Sequence, residues 1–244
     1  MSRPEPFDWT YESPRVSVEE GDDPWKLDFA DLEGEPLHLR NYAVRAYRRS
    51  ATEFLLRGVV DDRKRASSWI PSDSTMMVMH HMVIDLVIEY PTLTILKADV
   101  TFEAHPNDIC FHIEDRYHLL EGVSIARGFT HKVREMFGGP RGCTHVTALL
   151  QAMAPVAVQT IWSMGAANRR EVAAAAGVDL SKQAPPPPSE EEQRTGSMYS
   201  LNSCHVWDEH GEVMEQIRSG VELPLPLPIR RRMAKQGLDH DVVL

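Results

Sequence analysis

"RGCTHVTALLQAMAPVAVQTIWSM", Arg141 to Met164, is the stretch on which the fold turns. From Thr144 onward it reads as a long helix. Val146, Leu149, Leu150, Met153, Ala157, Thr160, Ile161 and Met164 recur at three- and four-residue spacings, so they share one stripe of a 3.6-residue period. Such a stripe has to be covered, which makes this a core helix. Pro155 is expected to kink it about one turn back. On the N-terminal side, Gly138 and Gly139 end a shorter helix expected over Thr130 to Phe137, and another short helix is expected over Glu114 to Leu120.

Further toward the N-terminus the period changes to two. In "IDLVIEY" the residues Ile84, Leu86, Ile88 and Tyr90 alternate with polar or smaller neighbours, and in "TILKADVTF" Leu96, Ala98, Val100 and Phe102 do the same. "LHLRNYAVRAYRR" and "TEFLLRGVVDD", separated by Arg49 to Ala51, form an earlier hairpin pattern. The expected fold is therefore α+β: an antiparallel sheet of two hairpins packed on a long kinked helix and shorter helices. Residues 1–36 read as an extended acidic arm, 37–177 as the core domain, 178–198 as a proline-rich linker, and 199–244 as a segment that returns to the core before a basic tail. "PLPLP" near the end is expected to be extended, and "IRRRMAK" to be a solvated tail or an oligomer contact.

A hydrophobic content of 42% over 244 residues is enough for a core. No run approaches the ~18 consecutive apolar residues of a membrane span, and the N-terminus lacks the apolar centre of a signal peptide. A formal net charge of -10 argues against a general nucleic-acid binder. Three cysteines, an odd number, fit reduced thiols or metal ligands in a cytoplasmic protein better than a disulfide framework.

Each cysteine has a histidine within two positions: Cys110 with His112, Cys143 with His145, and Cys204 with His205. A double histidine, His80 and His81, opens the second hairpin pattern. A zinc or iron site draws three or four soft or imidazole ligands from separate segments, and these residues lie in four. The candidate ligands are His80, His81, Cys110, Cys143 and Cys204, and the candidate catalytic groups are Cys143, His145 and His205. Cys143 stands where a helix N-terminus would stabilise a thiolate, with Thr144 as a cap. His145 can share its centre only if Cys143 precedes the first helical residue, since residues two apart do not share a helix face. The competing reading is burial: free cysteine usually packs as a small apolar residue. Asp61, Asp62, Asp85 and Asp99 read as solvated strand and turn charges. No glycine-rich dinucleotide turn, phosphate loop or G-x-S-x-G elbow is present, so no nucleotide or flavin is expected.

The order "RNYAVRAYRR", "GVVDDRK", "MHHM", "HPNDIC", "LLEGVSIARGFTHKVREMFGG", "RGCTHVTALL", "AVQTI" and "NSCHVW" resembles a bacterial domain family of unknown function marked by G-C-T-H. The family pattern has His-Asp where this chain has His80 and His81. A more distant likeness is to iron-sulfur scaffold proteins of the NifU-like fold. That resemblance implies an α+β core in which His80 or His81, Cys110 and Cys143 would bind zinc or a cluster.

Two functions follow as expectations. One is a small-molecule enzyme with a Cys/His centre, holding Zn or Fe, that performs an aldehyde-releasing lyase step or a hydrolysis on a hydrophobic, aromatic-type catabolite. The other is a zinc or iron-sulfur carrier acting through protein partners. A homo-oligomer is expected, with no nucleic-acid or membrane partner.

Overall fold

In strand β2, Glu53–Arg65, every even-numbered residue from Phe54 to Asp62 is buried, and alternation continues in β3, Met76–Glu89, through Met82, Ile84, Leu86 and Ile88. Period two can bury only one side of a strand, so a layer must cover the even face. The computed structural model describes residues 36–180, 186–221, 223 and 225–237, and in it β1, His38–Arg48, and β4, Ile95–Ala104, complete an antiparallel sheet in the order β1-β2-β3-β4. The fold is α+β. The acidic arm, apart from residue 36, lies outside the described residues.

The cover is α2, Thr144–Ala175, and all eight residues of its stripe are buried. The helix runs unbroken through Pro155, which is exposed. Its length matches the sheet's. At one end His145 lies over β2 at Asp62. At the other, Asn168 accepts from Arg48 and donates to the Ala51 carbonyl in the β1–β2 turn. Helical rise gives about 35 Å between His145 and Asn168, and strand rise about 36 Å between Asp62 and Ala51. Gly58 lets the two layers meet midway: a Cβ there would stand 2.5 Å from Met153 Sδ and 3.2 Å from Leu149 Cδ1. By length and composition α2 could cross a membrane, but its apolar stripe is spent on the sheet.

The remaining elements close the core's edges. A 3-10 stretch, Cys110–Leu120, buries Tyr117 and Leu120. Glu114 accepts from the Phe102 amide and Glu121 from the Ala98 amide, which caps the free edge of β4. In α1, Phe129–Phe137, Phe129, Val133 and Phe137 are buried at four-residue spacing.

Several boundaries differ from the sequence reading. β3 begins at Met76, so His80 and His81 lie inside a strand rather than opening it. Leu96 is 43% exposed while Ile95 is buried, because the β3–β4 register slips at Val87/Ile88 and Leu96 becomes the extra residue of a bulge. Cys143, not Thr144, is the N-cap of α2. Part of the expected linker is α3, Glu190–Ser200, started by a capping box of Ser189 and Glu192. His205–Trp207 forms a 3-10 turn, with Cys204 extended before it. After α4, Glu212–Arg218, the basic cluster lies in α5, Leu227–Lys235, which takes in the end of "PLPLP" and buries Met233.

Candidate metal centre

The even face that builds the core carries polar groups at one end. The register places Arg40 opposite Asp62 and Asp62 opposite His80, with His38 one even step beyond Arg40 on β1. The N-terminus of α2 brings in His145 from above. Three strands and one helix therefore converge on Asp62, whose side chain is 1% exposed.

The groups around that carboxylate are cationic or imidazole. Arg40 Nη2 donates to Oδ2 at 2.7 Å, and His80 Nδ1 lies 2.8 Å from the same oxygen. His38 Nε2 contacts Oδ1, and His145 Nε2 stands 3.6 Å from Oδ2. Burial alone would raise the Asp62 pKa. The hydrogen bonds from Arg40, His38 and His80 outweigh it and hold the carboxyl well below the usual carboxylate range. His80 and His145 stack with ring centroids 3.7 Å apart. Burial, and then the fields of His80 and Arg40, push His145 down to about 4 against the pull of Asp62. His145 is consequently neutral near pH 7, the form that ligates metals.

Asp62, His80 and His145 can each offer one ligand atom, all within 4.8 Å of one another. Tetrahedral bonds of 2.0–2.1 Å put ligand atoms about 3.3 Å apart, so small rotamer changes would close the set. Two imidazoles and a carboxylate form a donor set suited to catalytic zinc or to non-haem ferrous iron.

The sequence candidates divide. His80 and His145 are in this group. His81 is not: successive strand residues point to opposite faces, and His81 lies between Asp61, at 3.2 Å, and Glu103, at 3.3 Å, on the other side. Cys143 has extended φ/ψ of -91° and 130°, as sharing a centre with His145 requires, and its Sγ is 3.6 Å from His145 Nδ1. It touches His145 without being one of the three grouped residues. Its amide donates to the buried Tyr117 hydroxyl at 2.9 Å. Cys110 begins the 3-10 stretch and packs against the core. Cys204 and His205 are exposed beyond α3. Among the described residues, no cysteine belongs to a group of three or more ligands.

Asp62, His38 and Arg40 were missed as site residues. The signal was the period itself: Phe54, Leu56, Gly58, Val60, Asp62 is one even series, so the aspartate falls on the core face rather than in solvent.

A family model described as a protein of unknown function, DUF2889, matches residues 38–159, half of the chain. The chain belongs to the DUF2889 family. The matched span begins at His38 and contains Arg40, Asp62, His80, Cys143 and His145, so the centre of this DUF2889 chain lies wholly inside it. No curated protein and no solved structure matches the chain.

Proposed function

We propose that this chain is a cytoplasmic metal-dependent enzyme acting on a small hydrophobic molecule, with Asp62, His80 and His145 as ligands and His38 as the proton-moving group. The observation that carries the reading is the fully buried Asp62 in reach of two stacked imidazoles. A buried carboxylate costs several kcal/mol unless it is paired, and an apolar residue would satisfy the alternation at that position without such a demand. A bound zinc or ferrous ion would supply Lewis acidity toward a substrate oxygen.

His38 comes from edge strand β1 and is 39% exposed, so a substrate hydroxyl can approach it. In an aldehyde-releasing step on a β-hydroxy carbonyl compound, His38 accepts the hydroxyl proton and the adjacent C–C bond breaks. Its electron pair passes to the carbon beside the carbonyl, and that carbon then takes up a proton. Hydrolysis would use the same two elements, a polarised oxygen and a mobile proton. Exposed apolar groups at this end of the sheet favour a hydrophobic, aromatic-type substrate: Tyr42 on β1, Trp69 and Ile70 after β2, Ile109 and Phe111 after β4.

The carrier reading draws on the NifU-like likeness. A cluster needs thiolates, and the N,N,O set favours the enzyme; the sulfur of Cys143 beside His145 is what keeps a zinc carrier as the second reading. The test is aldehyde release from aryl β-hydroxy ketones by metal-loaded protein. His38→Gln should lower turnover at least ~100-fold with metal content unchanged. Equal turnover in that variant removes His38 from the reaction, and no release or hydrolysis by the wild type on any such compound favours the carrier.

A further inference from the structure

The odd face of the sheet carries no buried residue in any of its four strands. Its rows across β1, β2, β3 and β4 follow from the register. One row is Arg45, Arg57, Asp85, Asp99, with Arg57 and Asp85 paired in a fork at 2.7 and 2.5 Å. The flanking rows are Ala43, Val59, Val83, Thr101 on one side and Tyr47, Leu55, Val87, Lys97 on the other. Two cations are thus followed by two anions, between rows that are apolar or aromatic on β1 to β3 and end on β4 in Thr101 and in Lys97, which pairs with Asp99 at 2.5 Å.

From this order we infer that the odd face is the contact of a two-fold dimer of this chain. The axis lies in the interface, parallel to the strands and between β2 and β3. That rotation sets β2 against the partner's β3 and β1 against the partner's β4. Arg57 then meets the partner's Asp85, Val59 the partner's Val83, and Leu55 the partner's Val87. The outer strands supply the independent support, because β1 and β4 are not neighbours within the chain. Arg45 meets the partner's Asp99, and Tyr47 meets the partner's Lys97, an attractive ring-to-cation pair.

Beside β1 and β2 the face holds a shallow cleft of about 470 Å³ lined by Ala43, Arg45, Tyr47, Arg57 and Val59. The same rotation brings the partner's Lys97, Asp99 and Thr101 over it. Facing sheets cross at about 30°, which displaces the outer strands by roughly 4 Å along their length, about one residue and within reach of Arg and Lys side chains. Four strands of about ten residues present roughly 600 Å² per chain, so about 1,200 Å² in total, the lower end of a specific interface. An isologous contact of this kind closes at two copies.

The test is sedimentation of the full chain at about 50 µM. The wild type should be a dimer. Arg45→Asp leaves two acidic residues facing Asp99 contacts, and Asp99→Arg leaves two basic ones facing Arg45, so each alone should weaken self-association at least ~10-fold. An equimolar mixture of the two variants should re-form a dimer containing one of each, since both crossed pairs are then opposite in charge. Circular dichroism of each variant checks that it is folded. A monomeric wild type overturns the proposal and leaves the face to another occupant, such as residues 1–35. A dimer unaffected by either substitution, or folded variants that do not pair in the mixture, also overturns it.

Discussion

Replacing Asp62 by Asn changes one atom and keeps the volume, so it isolates what the carboxylate does. Asp62 accepts from Arg40 and His80 through Oδ2 and contacts His38 through Oδ1. The amide retains one acceptor and turns the other oxygen into a donor, which faces either the Arg40/His80 side or His38. At least one cationic or N–H partner therefore meets a donor. A hydrogen bond to a charged group contributes roughly 1.5–3 kcal/mol, and breaking a buried pair outright costs about 3–5 kcal/mol. Arg40 and His38, each about a third exposed, can turn to water, whereas His80 is 15% exposed and cannot do so readily. The net expectation is a loss of about 2–3 kcal/mol. For a chain of this size that lowers Tm by roughly 5–10 °C. Thermal unfolding with chelator present, at pH 7.5, reads the stability term apart from metal. A Tm within 1 °C of wild type would refute the argument, because it would mean that the carboxylate is not holding these groups in the folded chain.

Three further outcomes follow from the same geometry. His145 is held at about 4 against an ordinary 6.5, so folding favours its neutral form; that stability is fully present above about pH 6.5 and is lost as pH falls toward 4. The amount is up to roughly 3 kcal/mol, Asp62 continues the loss below its own unfolded pKa near 3.9, and His145→Gln should flatten the 6.5-to-4 limb of a stability-pH curve. Gly58→Ala should cost about 1–3 kcal/mol by pushing Met153 and Leu149 off β2, and should weaken metal binding as α2 shifts, both readable by calorimetry. Gly196→Ala drives a Cβ into the Trp162 ring and should loosen α3, seen as faster proteolysis there, with metal affinity unchanged.

The helix was legible because burial follows one period from Val146 to Met164, with every stripe residue in that span buried. The antiparallel hairpin of β3 and β4 was legible from its period of two, with Ile84, Leu86, Ile88, Ala98 and Phe102 all buried. Bulges were not, since a slip such as the one at Val87/Ile88 leaves no mark in composition and moves Leu96 to the outer face. At the centre, proximity in sequence was the misleading cue. Cysteines near histidines drew notice, yet Cys110 is a core-packing residue and Cys204 an exposed one. Asp62 and His80 meet through strand register, and His38 and Arg40 through a second register, and only the even series ending in Asp62 could have announced this. The two histidines of "HH" part to opposite faces, as adjacent strand residues must.

The central claim is an ion held by Asp62, His80 and His145. The direct measurement is metal content and zinc affinity of the purified full chain beside His80→Ala and Cys143→Ser. The account predicts close to one ion per chain in the wild type, loss of it in His80→Ala, and retention in Cys143→Ser. Metal that survives His80→Ala but disappears with Cys143→Ser, or a wild type that binds neither zinc nor ferrous iron, would contradict it.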